Sequence, residues 1–341
     1  MTGIAEKTAA YLAQQWGTEV HATAETKIFG GASRETFRVS LTVDGEPRDV
    51  IVRRDPPTSL IDTERALEFN AYQGVYGTGI PVPEPLALEN DPSWLGAPFS
   101  VMAAIDDAVT DVSGLTQDER GRIGSQKWQI LGQLAAMDPV KLGFDEFLPV
   151  PAPEDCARRE LDYWAGVIRD DEMHPQPVAA AAVRWLEANL PAPAQKVAIV
   201  HGDYRTGNFL YDTDNGIRAI LDWEMCHLGD PLEDLAWSMD PLWCWNDPGL
   251  PGRLLPAAEV IAIWESASGL TVNPDDLHWW RVMVALKAVA IWISSSEDFA
   301  SAPGKDTILA MAGWVMTQRQ NQILLDYLSP LSDHELTRVR A

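Results

Sequence analysis

The segment that most constrains the fold of this chain is KVAIVHGDYRTGNFLYDTDNGIRAILDWE, residues 196–224. Short apolar runs alternate there with polar turns, which is typical of short strands joined by tight loops. The loop HGDYRTGN follows directly on the run VAIV and places the carboxylate of Asp203 five residues before the amide of Asn208. Fourteen residues later, the run AIL leads to a second carboxylate, Asp222. The spacing predicts that two carboxylates and an amide converge at the ends of a short hairpin.

This set of side chains suits phosphoryl transfer, which needs a group that accepts the proton of an attacking hydroxyl and oxygen ligands that hold magnesium on the phosphates. Asp203 suits the first role, and Asn208 and Asp222 suit the second. Glu224 points to the same side of an extended segment as Asp222 and can add an acidic contact. Taken singly, each Asp would more often cap a turn or a helix, but the joint spacing favours catalysis. His201 is interpreted as a structural residue of the loop.

A glycine-containing turn lies in KIFGGASRETFRV, residues 27–39. Gly30 and Gly31 would let backbone N–H groups approach phosphates without interference from a Cβ atom, and Ser33 could add a hydroxyl. Glycine pairs also join strands for conformational reasons alone, so both interpretations stay open. The turn does not match the pattern GxxxxGK[ST], which argues against a P-loop fold.

The strand-like run VIVRRD carries two arginines that point to opposite faces, because side chains alternate along a strand. Arg53 lies on one face near the strand end, where a cation could meet phosphates, and Arg54 lies on the other. Glu68, on the following helix, could contact Arg53 and fix its direction. The alternative is a solvated arginine and an ordinary surface glutamate.

The order of elements predicts an α+β fold in two parts. Residues 1–106 contain a helix over 4–16, three strands (AETKIFG, RETFRVSLTV and DVIVRRD), a long helix over 59–77, and two more strands (LALEND and PFSVMAAID). Short connections between consecutive strands indicate a small antiparallel sheet. Residues 107–341 are predicted to be mainly helical, with helices at 116–137, 155–171, 177–189, 231–240, 257–268, 275–297 and 304–328.

These motifs resemble the aminoglycoside phosphotransferase family and its choline-kinase-like relatives. The most specific part, VHGDYRTGNFLYD with AILDWEMCHLGDPLEDLAW, looks most like the phosphotransferase domains associated with acyl-CoA dehydrogenases. The resemblance implies a bilobal, protein-kinase-like fold, with nucleotide bound by the N-terminal lobe and the acceptor bound by the C-terminal lobe. It also implies a small-molecule kinase that transfers the γ-phosphoryl group of ATP or GTP to a hydroxyl of a metabolite or drug.

By the same resemblance Asp203 is the catalytic base, and Asn208 and Asp222 hold magnesium. The residues implied to contact the nucleotide are Gly30, Gly31, Ser33, Arg53, Glu68, and, in the hinge against the base, Met102 and Ala104. Asp230 and Asp234 match positions that brace the catalytic loop. Two features depart from the family pattern: an arginine, Arg53, replaces the usual lysine, and the hinge MAAIDD gives no preference for ATP over GTP.

Charge and cysteine content limit the partners and the compartment. Fifty acidic and 26 basic side chains give a formal net charge of −24, which disfavours nucleic acid and anionic membranes as partners. The same acidity favours a cationic substrate only weakly, because acidic surfaces also serve solubility. Three cysteines cannot all pair, and no secretion signal or apolar stretch of about 18 residues is present, so we expect a cytoplasmic protein.

Two other functions remain open. A catalytically weak, ATP-binding regulator would use Arg53 for binding only, although such a chain has no need to keep Asp203, Asn208 and Asp222 together. A metal-assisted hydrolase would need clustered histidines, and the six histidines are scattered. The tryptophans that could form an aromatic wall for the acceptor, or simply belong to the core, are Trp237, Trp243, Trp245, Trp279 and Trp280.

Overall fold

The computed structural model describes residues 3–28, 34–55, 63–244, 249–301 and 307–329. The chain divides into two compact units. The first unit comprises Met1–Val109 together with Arg218–Met225, and the second comprises Thr110–Ile217 together with Cys226–Ala341. The segment that carries Asp222 therefore groups with the first unit. Which ligand each unit binds stays a prediction.

The first unit is built on a five-stranded antiparallel sheet with the strand order β1-β2-β3-β5-β4. Its elements are α1 (Ile4–Trp16), β1 (Val20–Ile28), β2 (Glu35–Val43), β3 (Glu46–Arg54), α2 (Thr63–Val75), β4 (Pro85–Glu89) and β5 (Phe99–Ala103). A two-residue turn joins β2 to β3, and both of its residues, Asp44 and Gly45, have positive φ angles of 49° and 88°. Such a turn matches the twist of a hairpin, and the predicted meander is confirmed.

Alternation along β3 fixes which side chains face the core. Val50 and Val52 are fully buried, whereas Ile51 and Arg53 are only partly buried. On the sheet, α1 covers the apolar face through Tyr11, whose ring lies 5.0 Å from that of Phe99. Burial of this face leaves Arg53 on the opposite side of the sheet.

The second unit is mainly helical. Its helices are α3 (Gln117–Ala136), α4 (Cys156–Asp171), α5 (Pro177–Ala188), α6 (Leu232–Ser238), α7 (Ala257–Ser268), α8 (Pro274–Ser301), α9 (Thr307–Met311) and α10 (Thr317–Leu328). Two small sheets pair β6 (Ala198–Val200) with β9 (His227–Gly229) and β7 (Phe209–Asp212) with β8 (Gly216–Ile220). The central helix is α8, which packs against α4, α5, α6 and α10.

The last predicted helix is interrupted, contrary to the prediction of one helix over 304–328. A π-helical segment, Ala312–Met316, separates α9 from α10. Gly313 in this segment approaches α8 so closely that a Cβ atom would lie 1.8 Å from the hydroxyl of Ser296. A residue with a side chain would not fit there without a shift of Ser296.

All three cysteines, Cys156, Cys226 and Cys244, are unbridged and buried. Within the described ranges, no helix is both long enough and apolar enough to cross a membrane.

Candidate functional site

Asp203 lies in the loop between β6 and β7, and three side chains hold its carboxylate. Trp237 Nε1 donates to Oδ1 at 2.8 Å, and Asn208 Nδ2 donates to Oδ2 at 2.6 Å. Arg205 Nε lies 3.2 Å from Oδ2. The carboxylate is 15% exposed, so it is directed by its neighbours and still reachable. Because Asn208 uses its NH₂ group on Asp203, its Oδ1 oxygen is the atom suited to a metal ion.

The backbone before Asp203 is held by side chains from elsewhere in the second unit. The N–H groups of His201 and Gly202 donate to the carboxylate of Asp234 at 2.6 and 3.0 Å. The N–H of Asp203 donates to Nδ1 of His201 at 3.2 Å. His201 is fully buried, which agrees with the structural role predicted for it.

Asp234 and Asp230 have different roles, although both were predicted to brace the loop. Asp234 bonds to the loop backbone, and burial, followed by the nearby Glu233 carboxylate, raises the pKa of Asp234 to about 6. Asp230 accepts from the N–H of Leu232 at 2.9 Å and from Nε1 of Trp280 at 3.1 Å. Its described bonds therefore support the start of α6 instead of the loop.

The predicted aromatic wall separates into two groups. Trp279 and Trp280 are buried, as Trp237 is, but their indole N–H groups donate to Leu186 and Asp230 and not to the loop. The sequence offered no means of distinguishing them. Trp237 and Trp243 lie beside the loop, with ring centroids 5.2 Å apart, and the guanidinium of Arg205 lies 5.0 Å from the ring of Trp243. Trp245 is outside the described residues.

In the first unit, Arg53 and Glu68 meet in an ion pair, as the sequence predicted. Glu68 is 3% exposed, so it is not the surface residue of the alternative interpretation. A guanidinium nitrogen of Arg53 also lies 3.5 Å from Oδ1 of Asp222. Burial alone lowers the pKa of Arg53, but Glu68, Tyr72 and Asp222 raise it above its usual value. Arg34, whose part the sequence analysis missed, forms a second ion pair with Glu68.

Asp222 has an unusual backbone conformation, with a φ angle of 71°. A non-glycine residue in this region costs free energy and is typical of functional sites. Its N–H donates to the hydroxyl of Tyr72 at 3.0 Å, and Tyr72 is buried. Tyr72 was not predicted to be a site residue. Its position four residues after Glu68 on α2 was the available signal, because residues at this spacing share one helix face.

Asp222 belongs to a network of charged side chains in which, among the described residues, carboxylates outnumber guanidinium groups. The carboxylates are Asp55, Glu68, Asp222 and Glu224, and the guanidinium groups are Arg34, Arg53 and Arg65. Burial, followed by repulsion from Asp222 and Glu68, raises the pKa of Glu224 to about 7. Asp55 and Glu68 are buried and paired with guanidinium groups, so the carboxylate of the partly exposed Asp222 is the oxygen donor that fits a hard divalent cation such as magnesium.

The predicted hinge lies at the end of β5. Met102 is buried, and the N–H of Ala104 donates to the carbonyl of Asp49 at 3.0 Å. The predicted phosphate-loop residues Gly30, Gly31 and Ser33 lie outside the described residues. Their nucleotide contacts stay predictions.

One group of three potential metal-ligating side chains occurs in the described part of the chain: Glu160, His227 and Glu233. It includes none of Asp203, Asn208 and Asp222. The clustered histidines that a metal-assisted hydrolase would need are therefore not found at Asp203 among the described residues.

Comparison with known proteins gives a family and several relatives. Residues 25–270 match the model of the phosphotransferase enzyme family. Acyl-CoA dehydrogenase family member 10 of Mus musculus is 28% identical over 214 residues, which are 61% of the chain and 19% of that relative. Viomycin phosphotransferase of Streptomyces vinaceus is 29% identical over 179 residues, which are 50% of the chain and 60% of that relative. The chain thus spans about a fifth of the first relative and three fifths of the second.

Solved structures share the fold. A Ralstonia eutropha protein provisionally identified as an aminoglycoside phosphotransferase has a TM-score of 0.73 and 21% identity, over 94% of the chain and 97% of that structure. A thermostable mutant of aminoglycoside phosphotransferase APH(4)-Ia, in ternary complex with ADP and hygromycin B, has a TM-score of 0.61 and 16% identity, over 95% and 99%. The predicted α+β, protein-kinase-like fold class is confirmed.

Proposed function

Because the chain belongs to the phosphotransferase enzyme family, we propose that it is a small-molecule kinase that transfers the γ-phosphoryl group of ATP or GTP to a hydroxyl group. The observation that carries this proposal is the carboxylate of Asp203, held by Trp237, Asn208 and Arg205 and still partly exposed. A fixed, accessible carboxylate is what an attacking hydroxyl needs for its orientation and for the removal of its proton.

In the proposed reaction Asp203 accepts a hydrogen bond from the acceptor hydroxyl and then its proton. Trp237 and Asn208 keep the carboxylate in one orientation, so little is lost to reorganisation when the oxygen attacks. The backbone bonds from His201 and Gly202 to Asp234 keep the loop itself in place.

On the phosphate side, Arg53 is the proposed contact. Its ion pair with Glu68 fixes the direction of the guanidinium, which can then present N–H donors to phosphate oxygens. The proposed nucleotide contacts of Gly30, Gly31, Ser33, Met102 and Ala104 rest on the sequence resemblance. A protein of the same fold, the APH(4)-Ia mutant, was solved in complex with ADP and hygromycin B, and a nucleotide donor agrees with this.

Asn208 and Asp222 are the proposed magnesium ligands, through Oδ1 and the carboxylate respectively. Bound magnesium would neutralise charge on the phosphate oxygens. The partial exposure of the Asp222 carboxylate and the engagement of the Asn208 NH₂ group both suit this assignment. Calorimetry tests it, because ATP and GTP should then bind measurably with magnesium and much more weakly with EDTA. Equal affinity in the two conditions would remove the metal from the proposal.

The acceptor is proposed to bind the second unit. A cavity of about 810 Å³ lies there near the N-terminal ends of α3 and α7, lined by leucines and by the charged Asp118, Arg120 and Glu259. Thr206 of the catalytic loop donates to the carbonyl of Gly252, in the segment beside this cavity, at 2.9 Å. A cavity of this size suits a drug-sized ligand.

A thermal-shift screen of hydroxyl compounds with nucleotide and magnesium can identify the acceptor. A side chain at Gly121, whose Cβ position meets no other atom within 4 Å, would then narrow the cavity. We expect Gly121→Trp to raise KM for that acceptor and to leave phosphate release to water unchanged. An unchanged KM would place the acceptor elsewhere.

The decisive test of the function is Asp203→Asn. We expect nucleotide affinity within a few-fold of the parent and turnover lower by about 10²–10⁴, the usual contribution of a positioned proton acceptor. Phosphate release from ATP and GTP, with water or an identified hydroxyl acceptor, measures the turnover. Asp214→Asn is the matched control, because Asp214 is an exposed aspartate of the same unit.

The regulator alternative makes the opposite prediction. If the chain only binds nucleotide, the parent and Asp203→Asn should share the same negligible turnover with every acceptor, while both bind ATP or GTP. That result would replace the kinase by a nucleotide-binding regulator.

A further inference from the structure

Four charged side chains, two of them buried and two partly buried, form a group in the second unit, brought together by α4, β9, α6 and α8. Lys287 Nζ lies 2.9 Å from Oε1 of Glu233, and His227 Nε2 lies 3.0 Å from Oε2 of the same residue. His227 Nε2 is also 3.6 Å from Oε1 of Glu160. The side chains of Lys287 and Glu233 are each 2% exposed.

The charges of this group balance. Burial alone lowers the pKa of His227, but the carboxylates of Glu233 and Glu160 raise it to about 10. Burial alone lowers the pKa of Lys287 as well, and Glu233 and Glu160 raise it above its usual value. Two cations therefore face the carboxylate of Glu233 and the carboxyl group of Glu160, whose pKa is raised by burial and by repulsion from Glu233. Removing only one member would leave a buried charge without compensation, which is strongly destabilising.

Glu160, His227 and Glu233 each offer one atom that could bind a metal ion, and these three atoms lie within 4.8 Å of one another. Glu160 and His227 also line a small cavity of about 40 Å³. A divalent cation there would have to displace the proton of His227 and would face the ammonium of Lys287. Charge balance therefore favours an ion network over a metal site.

Lys287 reaches beyond this network to the loop that carries Asp203. Its Nζ donates to the carbonyl of Gly202 at 2.7 Å, and it lies 5.0 Å from the centre of the Trp237 ring. Trp237 is the residue whose indole donates to Asp203. The ammonium thus contacts both the residue that precedes Asp203 and the ring that holds the Asp203 carboxylate.

The Gly202 carbonyl belongs to the peptide group that joins Gly202 to Asp203. Gly202 has a φ angle of 83°, and a glycine imposes little preference of its own on the orientation of this peptide. External partners must set it. The carbonyl accepts from Lys287, and the N–H at the other end of the same peptide donates to His201.

We infer that Lys287 is a positioning residue for the proposed phosphoryl transfer: it fixes the Gly202–Asp203 peptide through the Gly202 carbonyl and steadies Trp237, and so directs the Asp203 carboxylate. The inference rests on the proposed role of Asp203. It adds to that role a residue 84 positions further along the chain, in the middle of α8.

Lys287→Met is the direct variant, but it leaves a surplus negative charge and could unfold the protein. The double variant Glu233→Gln/Lys287→Met removes one charge of each sign and keeps Glu160 and His227 paired. It therefore separates loss of positioning from loss of charge balance. Lys127→Met is the control for loss of a buried ammonium: Lys127 is equally buried in the second unit, and its ammonium donates to Ser238 and lies 5.0 Å from the ring of Tyr204, with no hydrogen bond to the loop backbone among the described residues.

Three measurements on the full chain test the positioning role of Lys287. They are thermal unfolding, magnesium-dependent phosphate release from ATP, and hydrogen–deuterium exchange of the amides in residues 201–208. We expect the double variant to fold and to keep KM for ATP, with kcat lower by about 10–100-fold, because a small misplacement of a reacting group has an effect of this size. Loop amides should exchange at least about tenfold faster, whereas Lys127→Met should keep the parental kcat and should not speed the exchange of these amides.

A folded double variant with parental kcat and parental exchange in the loop would overturn the inference. Failure of the proposed function looks different. If parental phosphate release is unaffected by Asp203→Asn, the kinase role of Asp203 is wrong, and the exchange rates still show whether Lys287 orders the loop.

Discussion

The two units use charged side chains in different ways. Around Asp222 in the first unit, the described carboxylates outnumber the guanidinium groups, and Asp222 and Arg53 are 33% and 19% exposed. Around Lys287 in the second unit, charges of the two signs are equal in number, and Lys287 and Glu233 are almost fully buried. The partly exposed Asp222 is available to an external ligand, whereas the set around Lys287 acts within the protein, on its stability and on the order of the loop that carries Asp203. Substitutions in the first group should therefore affect ligand binding, and those in the second should affect stability and loop order.

The largest expected effect is on stability, in the second unit. Asp234→Ala removes the acceptor of two buried loop N–H groups, so the free energy of unfolding should fall by about 3–5 kcal/mol. Urea denaturation measures this. Asp240→Ala is the control, since Asp240 is similarly buried and its pKa is likewise raised to about 6 by burial, but it bonds to Leu242 and Gln320. Amide exchange in residues 201–208 should become faster in Asp234→Ala only. Faster exchange in both variants would show that the bonds of Asp234 to the loop have no specific role in its order.

The next largest expected effect on the free energy of unfolding comes from Lys127. Lys287 is paired with the carboxylate of Glu233, whereas the described hydrogen bond of the Lys127 ammonium is to the hydroxyl of Ser238. Burial lowers the pKa of Lys127 from 10.5 to about 7. Between these two pH values the unfolded chain binds a proton that the folded protein does not, so this group makes stability rise with pH across the window. Near pH 7, Lys127→Met should therefore raise the free energy of unfolding by about 2–4 kcal/mol, and the gain should vanish above about pH 10.5. A loss of stability at pH 7 would mean that the lysine is compensated after all.

Substitution of Arg53, in the first unit, should affect ligand binding more than stability. Arg53→Ala should weaken nucleotide binding by about 1.5–3 kcal/mol, the contribution of a charge-assisted hydrogen bond. Arg54→Ala is the control, because Arg54 is directed to the other face, where it pairs with Glu35. Isothermal calorimetry with ATP and magnesium compares the two. Weaker binding in Arg54→Ala alone would transfer the phosphate contact to Arg54.

The smallest effect is the coupling between Arg53 and Glu68. If Glu68 acts on the nucleotide by directing Arg53, the double variant should weaken binding by less than the sum of the single variants, with a coupling of about 0.5–1.5 kcal/mol. A double-mutant cycle on nucleotide affinity measures it. If the effects of the two single variants on nucleotide affinity simply add, Glu68 does not act through Arg53. Its ion pair with Arg34 would then give it a structural role only.

The sequence by itself predicted the order and approximate bounds of most elements and the residues of the loop that carries Asp203. Both are local properties: a helix or strand is set by a short periodic pattern, and HGDYRTGN places Asp203 and Asn208 in one loop whatever surrounds it. The Arg53–Glu68 contact was also predictable, because side-chain alternation on β3 and the face of α2 constrain it. The interruption after α9 and the close approach of Gly313 to α8 were not, since neither has a local signal.

Only the tertiary structure identified the partners that hold the loop in place. Lys287 lies within the apolar run of α8, and Trp237 and Tyr72 fit ordinary core patterns, so their spacing alone predicts burial and nothing more. Lys287 is 85 residues from Gly202, and Tyr72 is 150 residues from Asp222. A hydrogen bond depends on distance and direction to within a fraction of an ångström, and packing of the whole chain sets those quantities for residues so far apart in sequence.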